Sequence, residues 1–164
     1  MIRAITTVGF VGLLRPAPGT WGSAAAVLLA WALHVAGGFW LLLAATLAVT
    51  ALGWWAVGEA TRGSADKDPS EIVIDEVAGQ WIALWPVSLG AQMAGAGFWA
   101  LWPGVLTAFV AFRLFDVLKP GPVGWADRQE GPLGVMADDL IAGWLAALVV
   151  AVFAFIAHLP QVAG

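Results

Sequence analysis

The stretch from Pro16 to Gly58, PAPGTWGSAAAVLLAWALHVAGGFWLLLAATLAVTALGWWAVG, runs 43 residues without a charged side chain. One helical crossing of a bilayer takes roughly 20 apolar residues. The stretch is long enough for two, and Gly37-Gly38 after His34-Val35-Ala36 marks the turn between them. Two further uncharged stretches follow: Val77 to Phe112, 36 residues, and Leu140 to Gly164, 25 residues. The first of these breaks between Ser88-Leu89-Gly90 and Gly95-Ala96-Gly97. The spacing predicts helices at 21–35, 39–58, 76–91, 98–118 and 139–158. This is an all-α, polytopic membrane bundle of four to five spans in a single domain, 1–164, and 21–35 is the span in question. No internal repeat is visible.

Composition agrees. Of 164 residues, 18 are charged (7 Lys and Arg, 11 Asp and Glu), and 61% are hydrophobic. Ordinary soluble domains carry about 25% charged residues. A soluble domain of this size buries only about 70% of its unfolded surface, too little to hide so much apolar area. The chain has no cysteine, which excludes disulfides, thiolate zinc sites and cysteine nucleophiles. A net charge of −4 offers no footprint for nucleic acid. The sequence leaves the oligomeric state open.

The charges fall in three zones: Arg3 and Arg15; Glu59 to Glu76; and Arg113 to Asp139. Five crossings place all three zones on one side. All seven Lys and Arg lie there, which makes it cytoplasmic by the positive-inside rule. Trp40, Trp99 and Trp102 fall at predicted outer ends; Trp54, Trp55, Trp125 and Trp144 fall near inner ends, as in an aromatic belt. Ala4 to Leu14 is apolar but too short to span, and is predicted as an interfacial helix.

The charged face holds acids at helix mouths: Asp75-Glu76 before one helix, Asp116 in the last turn of another, Asp138-Asp139 before a third. A helix dipole accommodates acids at an N-terminus, which is an ordinary explanation for the first and third pairs. It opposes Asp116, which shares a face with Arg113 and Lys119 at i±3. Carboxylates converging from three helix ends suit a hard cation such as Mg²⁺, which can polarise a phosphoryl oxygen. Lys67, Lys119, Arg113 and Arg128 can neutralise phosphate oxygens. His34 and His158 lie at predicted outer ends, away from this chemistry. There is no GxxxxGK[ST] loop, no HExxH and no soluble α/β domain to use Asp66-Lys67-Asp68 as a phosphatase motif. A small ion transporter would place its acids within the spans. A non-enzymatic assembly protein would use the charged face for a partner.

Three ordered blocks resemble the phosphatidylglycerophosphatase A family: Ala17-Pro18-Gly19-Thr20-Trp21-Gly22-Ser23; Lys67-Asp68-Pro69 leading to Ile72-Val73-Ile74-Asp75-Glu76-Val77-Ala78-Gly79-Gln80; and Phe112-Arg113-Leu114-Phe115-Asp116-Val117-Leu118-Lys119-Pro120. The last continues through Trp125-Ala126-Asp127-Arg128 to Ala137-Asp138-Asp139-Leu140-Ile141-Ala142-Gly143. The resemblance implies a multi-pass, Mg²⁺-dependent phosphatase of the bacterial inner membrane, with its site facing the cytoplasm. It would hydrolyse the phospholipid phosphatidylglycerophosphate to phosphatidylglycerol. Carried onto this chain, Asp68, Asp75, Glu76, Asp116, Asp138 and Asp139 are metal-binding candidates, with Asp75, Glu76, Asp116 and Asp139 as the catalytic core. Thr20, Lys67, Lys119, Asp127 and Arg128 are candidates for the substrate phosphate. Asp127 has a second reading as partner of Arg128, Thr20 as a plain helix cap, and Arg113 as the ion-pair partner of Asp116.

Overall fold

The computed structural model describes residues 1–63 and 69–162, with side chains as far as 157. Among them every regular element is helical: α1 Ile2–Thr6, α2 Pro18–Thr61, α3 Ile74–Met93, α4 Trp102–Leu118, α5 Pro122–Asp127 and α6 Pro132–Val162. Short 3₁₀ turns lie at Val11–Leu13 and Phe98–Leu101. Three helices are long and apolar enough to cross a membrane: Pro18–Thr61, Phe98–Leu118 and Pro132–Ala157.

The 44 residues of α2 are two helical arms, 18–36 and 39–61, because Gly37 and Gly38 leave helical geometry. Gly38 sits at φ 65°. A Cβ there would lie 2.2 Å from Gln92 Oε1, so the turn requires glycine. The reason Gln92 comes so close is chemical. Its Oε1 accepts the Phe39 N–H at 2.7 Å, satisfying a donor that a helix start otherwise leaves orphaned.

Contacts along α3 show that α2 doubles back. On the first arm, Gly22 packs on Val73, the Ala26 carbonyl accepts Trp81 Nε1–H at 2.9 Å, and His34 Nδ1 meets Ser88 Oγ at 2.8 Å. On the second arm the order reverses: Phe39 meets Gln92, Thr46 Oγ1 accepts Trp85 Nε1–H at 3.2 Å, and Gly53 lies near Ile74. The first arm is therefore parallel to α3 and the second antiparallel. By the same test α4 runs against α3, with Gly104 near Val87 and Phe112 near Gly79. α6 runs with α3: Gly79 meets Asp139 and Gly143, Trp85 packs on Trp144 with ring centroids 5.3 Å apart, and Gly90 and Ala94 share a cavity wall with Val150 and Ala154. The five long helical segments alternate in direction. The predicted helices 21–35, 39–58 and 98–118 are matched closely.

α3 is the central element. It carries Asp75, Glu76, Gln80, Ser88 and Gln92, yet most of its residues are buried, including Gln80 and Ser88 at 0% exposure. A helix surrounded by protein needs no apolar outer face. The core forms around it from Ala26, Leu42, Leu84, Phe98, Phe112 and Ala146. The outward surface is apolar instead, with Leu47, Leu106, Leu148, Phe153 and Phe155 exposed, as expected where the solvent is lipid.

Two expectations change. The segment predicted as an interfacial helix at Ala4–Leu14 is α-helical only through Thr6; Val8, Gly9 and Phe10 then take positive φ before the 3₁₀ turn at Val11–Leu13. Thr7 stabilises this bend locally, its Oγ1 donating to Arg3 O at 2.7 Å and accepting Phe10 N–H at 3.1 Å. The last helix begins at Pro132 rather than near 139. Pro132 follows Gly131 at φ 70°, and proline is well suited to a first helical turn.

Candidate active site at the α3–α4–α6 crossing

The acids meet because of two glycines. A Cβ on Gly143 would lie 2.3 Å from the Gly79 carbonyl oxygen, and one on Gly79 would lie 2.4 Å from the Asp139 carbonyl oxygen and 2.6 Å from the Phe112 ring. α3 and α6 thus cross backbone to backbone, the close approach that small residues allow in membrane bundles. Asp75 and Asp139 each precede their glycine by four residues, and Asp116 follows Phe112 by four. Residues four apart share a helix face. The crossing therefore delivers one acid from each helix to the same point, one turn nearer the mouth.

The result is two overlapping triads. Carboxylate oxygens of Asp75, Glu76 and Asp139 lie within 4.8 Å of one another, as do those of Asp116, Asp138 and Asp139. Asp139 belongs to both. Asp75, Asp138 and Asp139 are almost fully buried, at 6%, 6% and 3% exposure. Because α6 starts at Pro132, Asp138 and Asp139 sit well inside the helix, beyond the first turn where its dipole acts. Their ordinary explanation as N-terminal acids therefore fails.

A cavity of about 320 Å³ opens over the triads. Its walls include Gly19, Ser70, Ile72, Arg113, Val117, Lys119 and Val135 along with five of the acids. Arg113 is ion-paired with Asp116, one turn apart on α4, which offsets the unfavourable dipole at that helix end. Lys119 caps α4 in the left-handed region at φ 46°, and Pro120 and Gly121 turn the chain into α5. Its Nζ pairs with Asp127 and donates to Asp138 Oδ2 at 2.9 Å. Burial works against the Lys119 charge, but these two carboxylates outweigh it and hold the ammonium above the ordinary lysine range.

Of the sequence-derived site residues, Asp75, Glu76, Asp116, Asp138, Asp139 and Lys119 come together on this cavity. Thr20 and Arg128 are exposed and are not among its lining residues. Asp127 is also outside the lining and instead anchors Lys119. Lys67 and Asp68 lie outside the described residues. Sequence reasoning gave no role to Gly79, Gly143 or Ser70. The signal for the first two was present as Asp75-x₃-Gly79 and Asp139-x₃-Gly143.

The donor set fits a hard divalent ion. Every donor is a carboxylate oxygen, the type Mg²⁺ prefers. Uncompensated like charges so close together repel strongly. Glu76 Oε2 is buried with no hydrogen-bond partner, an acceptor that a cation or its water would satisfy.

Gln80, one turn deeper on the same face, is also buried with neither amide atom partnered. An unsatisfied buried amide costs about 1–3 kcal/mol. Gln80→Met keeps the volume and removes both polar atoms. It is expected to raise the melting temperature of the detergent-solubilised protein by several degrees. A scanning-fluorimetry midpoint that falls would show that Gln80 has partners in solution.

The phosphatidylglycerophosphatase A family model matches residues 4–154. A phosphatidylglycerophosphatase A of Haemophilus influenzae is 36% identical over 149 residues, covering 89% of this chain and 85% of that protein. One of Escherichia coli is 31% identical over 156 residues, covering 94% and 83%. A Bacteroides thetaiotaomicron protein, provisionally named a phosphatidylinositol-3-phosphatase, is 35% identical over 140 residues, covering 83% and 82%. No solved structure gives a significant match.

Proposed function

The chain belongs to the phosphatidylglycerophosphatase A family, and on that premise we propose that the cavity at the α3–α4–α6 crossing is its active site. The protein hydrolyses phosphatidylglycerophosphate to phosphatidylglycerol and inorganic phosphate. The observation that carries the assignment of the site is the convergence of five carboxylates and two cations on one cavity at a helix mouth.

The five alternating helical segments are read as five membrane crossings within one domain. Among the described residues this puts 1–17, 62–63, 69–73 and 119–131 at one end, and with them or beside them Arg3, Arg15, Arg62, Arg113, Lys119 and Arg128. The positive-inside rule makes that end cytoplasmic, in keeping with a bacterial inner-membrane enzyme. Asp75 and Glu76 in the first turn of α3 and Asp116 in the last turn of α4 lie at this end of the bundle, which favours surface chemistry on a lipid headgroup over ion transport.

Asp75, Glu76 and Asp139 on one side, and Asp116, Asp138 and Asp139 on the other, would hold Mg²⁺. When bound, the ion supplies Lewis-acid polarisation of a phosphoryl oxygen. The chain's own groups do the rest. Glu76, whose Oε2 is buried and unpartnered, accepts a proton from the attacking water. The new P–O bond forms to that water as the bond to the glycerol oxygen breaks; a water at the open cavity protonates the departing alkoxide, and Glu76 returns its proton to solvent. Lys119 offsets charge on the phosphoryl oxygens, with Asp127 and Asp138 fixing its ammonium at the cavity wall. Direct attack by water is favoured over a phospho-aspartate, since all the acids are grouped as ligands and none stands alone as a nucleophile.

The test is phosphate release from phosphatidylglycerophosphate in mixed micelles by the purified protein. Release that stops with EDTA and returns with Mg²⁺ is expected. No release under any divalent-ion condition would contradict the assignment.

A further inference from the structure

We propose that Arg113 is a catalytic residue of this site, its guanidinium binding the substrate's phosphoryl oxygens from the α2 side of the cavity. The inference rests on the lipid-phosphatase reading above. It gives Arg113 a role beyond that of ion-pair partner to Asp116.

That ion pair exists, between side chains 19% and 15% exposed. Two observations go further. First, the guanidinium lines the cavity and is pressed against bare backbone at the first turn of α2. A Cβ on Gly19 would lie 3.0 Å from Arg113 Nη1, 3.2 Å from Nη2 and 2.3 Å from Glu76 Oε1. The missing side chain lets a cation from α4 and a carboxylate from α3 meet beside the N-terminus of a long helix, where free N–H groups also favour an anion. Second, the ion pair with Asp116 is made through Nη1, and among the described residues none accepts from Nη2 or Nε. A guanidinium has five N–H donors in a planar fork that matches phosphate oxygens.

The cavity's other described cation is already engaged: Lys119 is held between Asp127 and Asp138. Two of the three Lys119 donors are thereby used, whereas Arg113 keeps the Nη2 side of its five-donor fork to offer. A phosphomonoester dianion entering a cavity walled by carboxylates needs such a contact. Arg113 stays protonated throughout; its part is to hold the phosphoryl group and offset charge as the bond to the glycerol oxygen breaks.

The test compares wild type, Arg113→Gln and Arg113→Lys as purified proteins with Mg²⁺. It measures kcat, KM, inhibition by inorganic phosphate, and the Mg²⁺ concentration for half-maximal release. Arg113→Gln is expected to lower kcat/KM by about 10²–10³-fold and to weaken phosphate inhibition at least about tenfold. Its Mg²⁺ midpoint is expected to stay near that of wild type. Arg113→Lys keeps a charge for Asp116 but loses the fork, and is expected to remain impaired in both rate and phosphate inhibition.

A role confined to Asp116 gives the opposite pattern. The Mg²⁺ midpoint moves, phosphate inhibition does not, and Arg113→Lys restores wild-type rates; this pattern overturns the proposal. If Arg113→Gln does not fold, the folded Lys variant decides by the same phosphate-inhibition readout. Wild-type protein that releases no phosphate overturns the underlying reading as well, and does so before any variant is compared.

Discussion

Asp139→Asn is expected to lower phosphate release by about a thousandfold or more, equivalent to roughly 4 kcal/mol of barrier. The size follows from its position. Asp139 is the one acid common to both triads, and at 3% exposure no bulk water stands ready to replace a lost ligand. The amide keeps the volume, so packing against Gly79 survives and the loss is chemical. The same change in Asp127, an exposed residue outside the cavity lining, is expected to be far milder. It frees one side of Lys119 and leaves its bond to Asp138 intact. Steady-state rates with saturating Mg²⁺ check both. An Asp139→Asn enzyme within tenfold of wild type would remove Asp139 from the centre of the site.

Gly143→Val is expected to cost at least about 100-fold in rate without touching any acid. The valine Cβ would fall 2.3 Å from the Gly79 carbonyl, and neither backbone has a flexible side chain that can yield. The helices must move apart, which spreads Asp75 from Asp139 one turn away. Displacements near 1 Å in catalytic geometry cost about that factor. Helix formation and membrane insertion do not depend on the crossing, so the variant should still extract in detergent as an α-helical protein. Circular dichroism alongside the rate measurement checks this. A fully active, normally folded Gly143→Val protein would show that the backbone contact does not set the site.

Much of this architecture was legible in the sequence, for identifiable reasons. Charge-free runs report membrane-length helices directly, and the Gly37-Gly38 turn was visible because glycine pairs punctuate helices. The acids of the site were legible because an apolar chain keeps so few charges that their positions carry information. The start of α6 was misplaced because the helix was bounded by its charge-free run, which begins at Leu140 directly after Asp138-Asp139. That error made Asp138 and Asp139 look like N-terminal acids.

Other features were hidden because they are tertiary. Arg113 reads locally as the i,i+3 partner of Asp116; its approach to Gly19, 94 positions away in the chain, has no local sign. Thr20 drew attention through its motif, while the motif's structural demand falls on Gly19. Asp127 looked like a partner for adjacent Arg128, but α5 carries it back to Lys119.

The central claim is that the carboxylates around Asp139 hold the divalent ion on which phosphate release depends. Binding of Mn²⁺ to the metal-stripped protein, followed by electron paramagnetic resonance in the same samples that are assayed for release, tests it most directly. The account predicts that Mn²⁺ binds wild type and restores release in step with occupancy, and that Asp139→Asn loses both. Full release from metal-free wild type, or unchanged Mn²⁺ binding in Asp139→Asn, would contradict it.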